Sequence, residues 1–136
     1  MKNLFLTFVL LSGMAVNAQK VTLQVDIDGF QNDIGKARVG LYNSEGTFLK
    51  TTYMKLVSEI KSRKASVIFK NVPAGEYAIS MYHDENDNGK LDKNFVGMPK
   101  EGYMASNNEK GFMGPPKYEN AKFVVREHGK INIKLD

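Results

Sequence analysis

The chemistry this chain can do is concentrated in one stretch, His83-Asp84-Glu85-Asn86-Asp87-Asn88-Gly89-Lys90-Leu91-Asp92. Oxygen-bearing side chains recur at every second position, Asp84, Asn86 and Asn88, before Gly89 and then Asp92. That spacing suits Ca²⁺, a hard cation that takes six to eight oxygens at roughly 2.3–2.6 Å. Ligands two residues apart let a tight loop aim alternate side chains inward, and a glycine at the sixth position permits the sharp turn. Lys90, at the seventh position, would contribute its backbone carbonyl, and Asp92, at the ninth, would bind directly or through water. Leu91 between them would anchor the loop to the core. The expected metal ligands are therefore Asp84, Asn86, Asn88, Lys90 and Asp92. Phe95 stands at the twelfth position, where an EF-hand carries a bidentate Glu. A further ligand would have to come from Asn94, a distant Glu or water. With two carboxylates in the pattern, binding is expected in the roughly 10⁻⁴–10⁻³ M regime of extracellular modules. The competing reading is a polar turn without an ion, since Asn, Asp and Gly are ordinary turn residues.

Catalysis has little to rest on. His83 and Asp84 are adjacent, and adjacent residues of a strand point to opposite faces. His128 falls in an expected turn. There is no cysteine, no G-x-S-x-G elbow and no H-E-x-x-H. No catalytic residue is assigned and the protein is read as not an enzyme. A metal-assisted hydrolase using Asp84, Asp92 or Glu101 is the weakest alternative. A second unusual stretch, 97–120, holds four glycines, three prolines, Tyr103, Phe112 and Tyr118. Long irregular loops are often functional, and disordered segments are poor in aromatics. This loop is expected to pack on the domain, either closing the end of the core or shaping a groove. In the groove reading the protein is a ligand-binding module for a peptide, glycan or small molecule.

The elements that must position these loops are strands. Val21, Leu23, Val25 and Ile27 alternate with Thr22, Gln24 and Asp26, the pattern of a half-buried strand. The same period recurs over 37–41, 65–69, 77–81, 123–125 and 131–135. Val25, Leu41, Phe69, Ile79 and Ile133 are expected in the core. Pro73 and Gly75 mark a tight reversal between two of these strands. Phe48 and Leu49 are expected to restart a short strand or an irregular edge. Residues 50–63 fit a short helix or a covering loop equally well. The fold expected is all-β, an immunoglobulin-like or transthyretin-like β-sandwich of about seven strands.

The first 18 residues read as a cleavable signal peptide. Lys2 precedes the apolar run Leu4–Val16, and Val16-Asn17-Ala18 places small residues where a signal peptidase reads. The run is shorter than the ~20 apolar residues of a spanning helix. The expected organisation is a signal over 1–18 and a single β-sandwich domain over 19–136, with no membrane span after cleavage. The product would be exported, to the periplasm or beyond the cell. With no cysteine, the domain must stand on its core alone. The formal charge is +4 over the whole chain. The basic residues are scattered, and the densest cluster, Lys61-Ser62-Arg63-Lys64, is too short for a nucleic-acid footprint. No nucleic-acid partner is expected.

Several segments together resemble a known family: Val72-Pro73-Ala74-Gly75-Glu76-Tyr77-Ala78, the 83–92 loop, Phe95-Val96-Gly97-Met98-Pro99-Lys100-Glu101-Gly102-Tyr103, Ser106-Asn107-Asn108 and Gly114-Pro115-Pro116. This is the bacterial family designated domain of unknown function 2141, and the likeness covers nearly all of the chain after residue 18. It implies a small exported protein and names no activity, substrate or catalytic residue. The 84–92 loop is also similar to the calcium loops of bacterial surface β-sandwich modules and of dockerins, from which it departs at Phe95.

Overall fold

A computed structural model describes residues 19–135; the expected signal peptide lies outside the described residues. The described residues form eight strands: β1 Lys20–Asp28, β2 Lys36–Tyr42, β3 Met54–Glu59, β4 Lys64–Pro73, β5 Gly75–Asp84, β6 Tyr103–Ala105, β7 Phe123–Val125 and β8 Gly129–Lys134. A 3-10 turn, Ser106–Asn108, follows β6, and one short helix, α1 Tyr118–Ala121, precedes β7. Every period-two segment lies in a strand, the last ending one residue early at Lys134. The fold is all-β and sandwich-like. The 50–63 segment is neither the helix nor the covering loop expected. It contains β3, an edge strand whose Met54 and Leu56 pack against the core while Lys55 and Val57 stay outside. Phe48 and Leu49 sit in a turn, not a strand.

One sheet has the order β4-β1-β8, antiparallel between β1 and β4 and parallel between β1 and β8. The other runs β3-β2-β5-β6, with β7 pairing the start of β5. The sheets bury one face each against the other, and the alternation of β1, with Val21, Leu23, Val25 and Ile27 inside, is the direct cause. Phe69 of β4 and Ile133 of β8 join them from the neighbouring strands, and Leu41 of β2 and Ile79 of β5 meet them from the opposing sheet. The register of β1 and β4 shifts between Val21 and Leu23. There the Thr22 N–H is taken by Nδ1 of His128 at 2.9 Å, which gives that turn histidine a partner.

β5 is the central strand of the larger sheet and is covered on both faces. Tyr77, Ile79, Met81 and His83 face the main core. On the opposite face Ala78 lies under a second small cluster with Tyr42, Phe48, Ala105, Tyr118 and Ala121. Its rings meet edge to face, Tyr42–Phe48 at 5.2 Å and Phe48–Tyr118 at 5.7 Å. The buried Ser106 hydroxyl accepts from the Ile79 N–H at 2.9 Å and donates to the Ala121 carbonyl, so the 3-10 turn and α1 are tied to β5. Both loops of interest leave from this sheet, one between β5 and β6 and one between the 3-10 turn and α1.

Candidate functional site

β5 ends at Asp84, and the alternation of the strand separates the two residues of the His83-Asp84 pair. His83 turns toward the core, with its ring edge to face on Phe30 at 5.2 Å and Nε2 2.6 Å from the Ile34 carbonyl oxygen. Asp84 turns to the outer face and is fully buried there. Arg38 of β2 reaches it from the adjacent strand, Nε to Oδ2 at 2.6 Å, and extends Nη2 to Oδ1 of Asp87 at 2.9 Å. The loop backbone closes on the same carboxylate, with Gly89 N–H donating to Oδ2 at 2.8 Å and Asn88 N–H to Oδ1 at 3.2 Å. Asp87 (φ 51°) and Gly89 (φ 77°) take the left-handed conformations that fold the loop back over Asp84. Burial alone would push the Asp84 carboxyl up. Its hydrogen bonds from Arg38, Gly89 and Asn88 outweigh that and hold it below the usual carboxylate range.

A second centre lies on the outer side of the loop. Asn86 Nδ2 donates to Oδ2 of Asp92 at 2.6 Å, and Asn88 Nδ2 donates to Oδ1 at 2.8 Å. Those two bonds hold the Asp92 carboxyl below its ordinary value. Asn88 Oδ1 accepts from the Lys90 N–H at 2.9 Å. The expected residues Asn86, Asn88 and Asp92 are thus gathered at one point, Lys90 is attached through its backbone N–H where its carbonyl was the expected ligand, and Asp84 lies beneath with its oxygens engaged by Arg38 and the loop.

Glu101 closes the base. Its Oε2 accepts from the Glu85 N–H at 2.7 Å and its Oε1 from the Asp92 N–H at 2.9 Å. Asn94 is used locally, its Oδ1 accepting from the N–H groups of Val96 at 3.1 Å and Met98 at 2.9 Å. Leu91, expected to anchor the loop, is half-buried and outside the main core. The participant that sequence reasoning passed over is Arg38. It reads as one more polar residue on the outer face of a strand, 46 positions away from its partner.

The donor set decides what such a loop could hold. Among the described residues, no three His, Cys, Asp or Glu side chains converge to hold a metal ion. A cation here would rest on amide and backbone oxygens beside Asp92. Rotating Asn86 and Asn88 about their Cβ–Cγ bonds would exchange N for O and turn both oxygens toward that point, at the expense of the Lys90 N–H bond to Asn88 Oδ1. Such an oxygen set suits Ca²⁺ in chemical type and is poor in charge.

The 97–120 segment divides. Tyr118 is buried in the small cluster and Met104 in the main core, as a packed loop requires. Met98, Phe112 and Met113 project into solvent, as do Phe95 and Val96 just before the segment. Two open clefts lie elsewhere. One, of about 760 Å³, lies between Asp26 and Asp28 of β1, Glu59 of β3 and Lys64 of β4; the other, of about 450 Å³, is formed mainly by residues 123–131. No helix among the described residues is long and apolar enough to cross a membrane.

The family model described as "Uncharacterized protein conserved in bacteria (DUF2141)" matches residues 25–134. The chain belongs to this family. The match runs from β1 into β8, so the DUF2141 region is the sandwich itself together with both irregular loops. Neither the comparison with curated proteins nor that with solved structures returns a match.

Proposed function

We propose that this DUF2141 protein is an exported, non-enzymatic β-sandwich whose 84–92 loop binds calcium weakly and uses it to fix the end of β5 and the loop that follows. The observation that carries the reading is the convergence of Asn86 and Asn88 on Asp92, at 2.6 and 2.8 Å, in a loop whose base is clamped by Glu101. Asp92 has its lone pairs met by two rotatable amides, so an ion can replace those contacts without dismantling the loop. The proposed ligands are side-chain oxygens of Asp84, Asn86, Asn88 and Asp92 with the Lys90 carbonyl. Export follows from the Lys2, Leu4–Val16 and Val16-Asn17-Ala18 pattern, with the mature chain starting at Gln19.

A second reading has its own support. Arg38 already neutralises Asp84 and reaches Asp87, so the loop is complete as an arginine-clamped turn. Calorimetric titration of the chain from Gln19 separates the two. The calcium reading expects a dissociation constant of about 10⁻⁴–10⁻³ M and a weaker response to Mg²⁺. It also expects about 1.4 kcal/mol of added stability at tenfold excess over that constant. Absence of heat and of any melting shift at about 10 mM Ca²⁺, well above the expected range, leaves the arginine-clamped turn. N-terminal mass analysis of exported material tests the other half: an intact Met1 there removes the signal-peptide reading.

A further inference from the structure

We propose that the tips of the two long loops, around Phe95 and Phe112, dock the domain peripherally on an anionic phospholipid surface. The proposal is independent of calcium in the 84–92 loop. Phe95 is wholly exposed and Phe112 and Met113 are 89% and 93% exposed, with Val96 and Met98 more than half exposed beside Phe95. Single exposed apolar residues are ordinary; five on two turn tips are not. The tips are built to present them. Asn94 caps the first turn through the Val96 and Met98 N–H groups, and the chain reverses at Gly97 (φ 84°). The second turn folds at Gly111 (φ 89°), where a Cβ would stand 2.2 Å from the Gly114 carbonyl oxygen, and puts Met113 at φ 55°.

Both tips are anchored to β6. The first loop runs directly into Tyr103. The second is held to that residue by its hydroxyl, which donates to the Lys110 carbonyl at 3.3 Å, and by the Lys110 ammonium 5.6 Å above its ring.

The charges around the tips select the occupant. Between positions 93 and 117 there are four lysines, Lys93, Lys100, Lys110 and Lys117, all exposed. The same stretch has two carboxylates, and both turn inward onto backbone: Glu101 onto the Glu85 and Asp92 N–H groups, and Glu109 onto the Gly111 N–H at 3.1 Å. The stretch that carries the apolar knobs therefore also carries four exposed lysines, while both of its own carboxylates are turned onto backbone N–H groups. Lysine is depleted from protein–protein interfaces, and knobs on turn tips line no groove for a peptide. At a bilayer the same set is favourable. The rings enter the headgroup boundary, the lysine stems lie along apolar surface, and the ammonium groups meet lipid phosphates. Each lysine held near an anionic surface strengthens binding about fivefold, and each phenylalanine buried there about tenfold or more.

Co-sedimentation of the chain from Gln19, which contains every strand and core residue described, with protein-free vesicles tests this. The vesicles are either phosphatidylcholine alone or phosphatidylcholine with about one-third phosphatidylglycerol. Expected is binding to the anionic vesicles that weakens with salt, little binding to the neutral ones, and a loss of about a hundredfold in Phe95→Ser/Phe112→Ser. The double variant removes no core contact, so its melting temperature should match wild type. Running both arms in a chelator keeps the result separate from the calcium reading. Absence of binding to anionic vesicles overturns the proposal, as does equal binding by the double variant. Binding to native membranes but not to vesicles of their extracted lipids also overturns it and assigns the tips to a protein partner.

Discussion

Replacing Arg38 by Met isolates the fully buried Asp84 carboxylate. The side chains are similar in length, so packing along β2 changes little, while Asp84 loses its only cationic partner at hydrogen-bond distance among the described residues, 2.6 Å away. Breaking a buried pair costs roughly 3–5 kcal/mol because the remaining charge is stranded. Two features bring the expectation to about 2–4 kcal/mol on that scale: Asp84 keeps the Gly89 and Asn88 N–H bonds, and the Arg38 side chain is 27% exposed. With a urea m-value near 1.5 kcal/mol/M, the unfolding midpoint should fall by about 2 M. The pH dependence identifies the cause. In wild type the Asp84 pKa is depressed, so its contribution is complete above the unfolded value near 3.9 and is lost as pH falls through the folded value. In the variant, burial is opposed only by two backbone bonds and the folded pKa rises. A raised carboxyl penalises folding at pH 7, and the penalty disappears as pH falls toward the unfolded pKa. The gap between the proteins should therefore narrow from pH 7 to about pH 4, measured by urea denaturation across that range. A cost below about 0.5 kcal/mol at pH 7, the level of an ordinary surface change, or a gap independent of pH, refutes the assignment of Arg38 as the clamp of a charged Asp84.

Three further outcomes follow from the same structure. Phe69→Ala, which empties a nearly fully buried position on the core face of β4, should cost about 3–5 kcal/mol in denaturant unfolding. Gly35→Ala should cost at least about 2 kcal/mol by the same measurement: φ is +76°, and the new Cβ would stand 2.1 Å from the Asp84 carbonyl oxygen. Ultraviolet titration should find Tyr118 ionising near pH 12, because burial and its bond to Glu76 push it up to about 12. The folded pKa is raised, so its stabilisation is present below the ordinary value near 10 and is lost as pH climbs toward 12.

The legible parts of the fold were those where one face is buried and the other is wet. β1, β4 and the core side of β5 alternate because each lies over the core, and their inward residues could be named from period alone. β3 was illegible because it is an edge strand with no fully buried position, and Tyr53, outward Val57 and Ile60 join Met54 and Leu56 in a set that mimics a helical face. β6 is three residues within a glycine-rich stretch, stabilised by pairing with β5 and by Ser106, partners remote in sequence. At the site, the period-two polar residues located the loop, in which Asn86 and Asn88 turn their amide nitrogens, not their oxygens, to Asp92. Burial of Asp84 was not readable, since it depends on Arg38 arriving from β2. The aromatics of 97–120 were expected to pack on the domain. Tyr118 does so, but Phe112 does not, and Phe95 of the loop before it is likewise wholly exposed. Composition counts aromatic residues and cannot distinguish a ring that closes a core from one presented on a turn.

Arg38 also links the two readings of the 84–92 loop. An ion coordinated by Asp84 would compete with the guanidinium for Oδ2, the atom that Arg38 Nε and the Gly89 N–H already share. An ion coordinated only through Asp92, Asn86 and Asn88 would not meet Arg38 at that atom. Arg38→Met therefore reports on the ligand set as well as on stability. If Asp84 is a ligand, removing the competing cation adds an available carboxylate to a charge-poor site, and calcium affinity, which follows ligand charge, should tighten by about tenfold. The bound ion should then return part of the stability the substitution removed, with saturating calcium narrowing the gap to wild type at pH 7. If Asp92 alone supplies the charge, Arg38→Met should leave the calorimetric constant unchanged while Asp92→Asn abolishes binding. If neither protein binds calcium, the loop owes its shape to the arginine. Asp84 is then a structural carboxylate whose polar neighbours, Asn86, Asn88 and Asp92, satisfy one another on the surface above it.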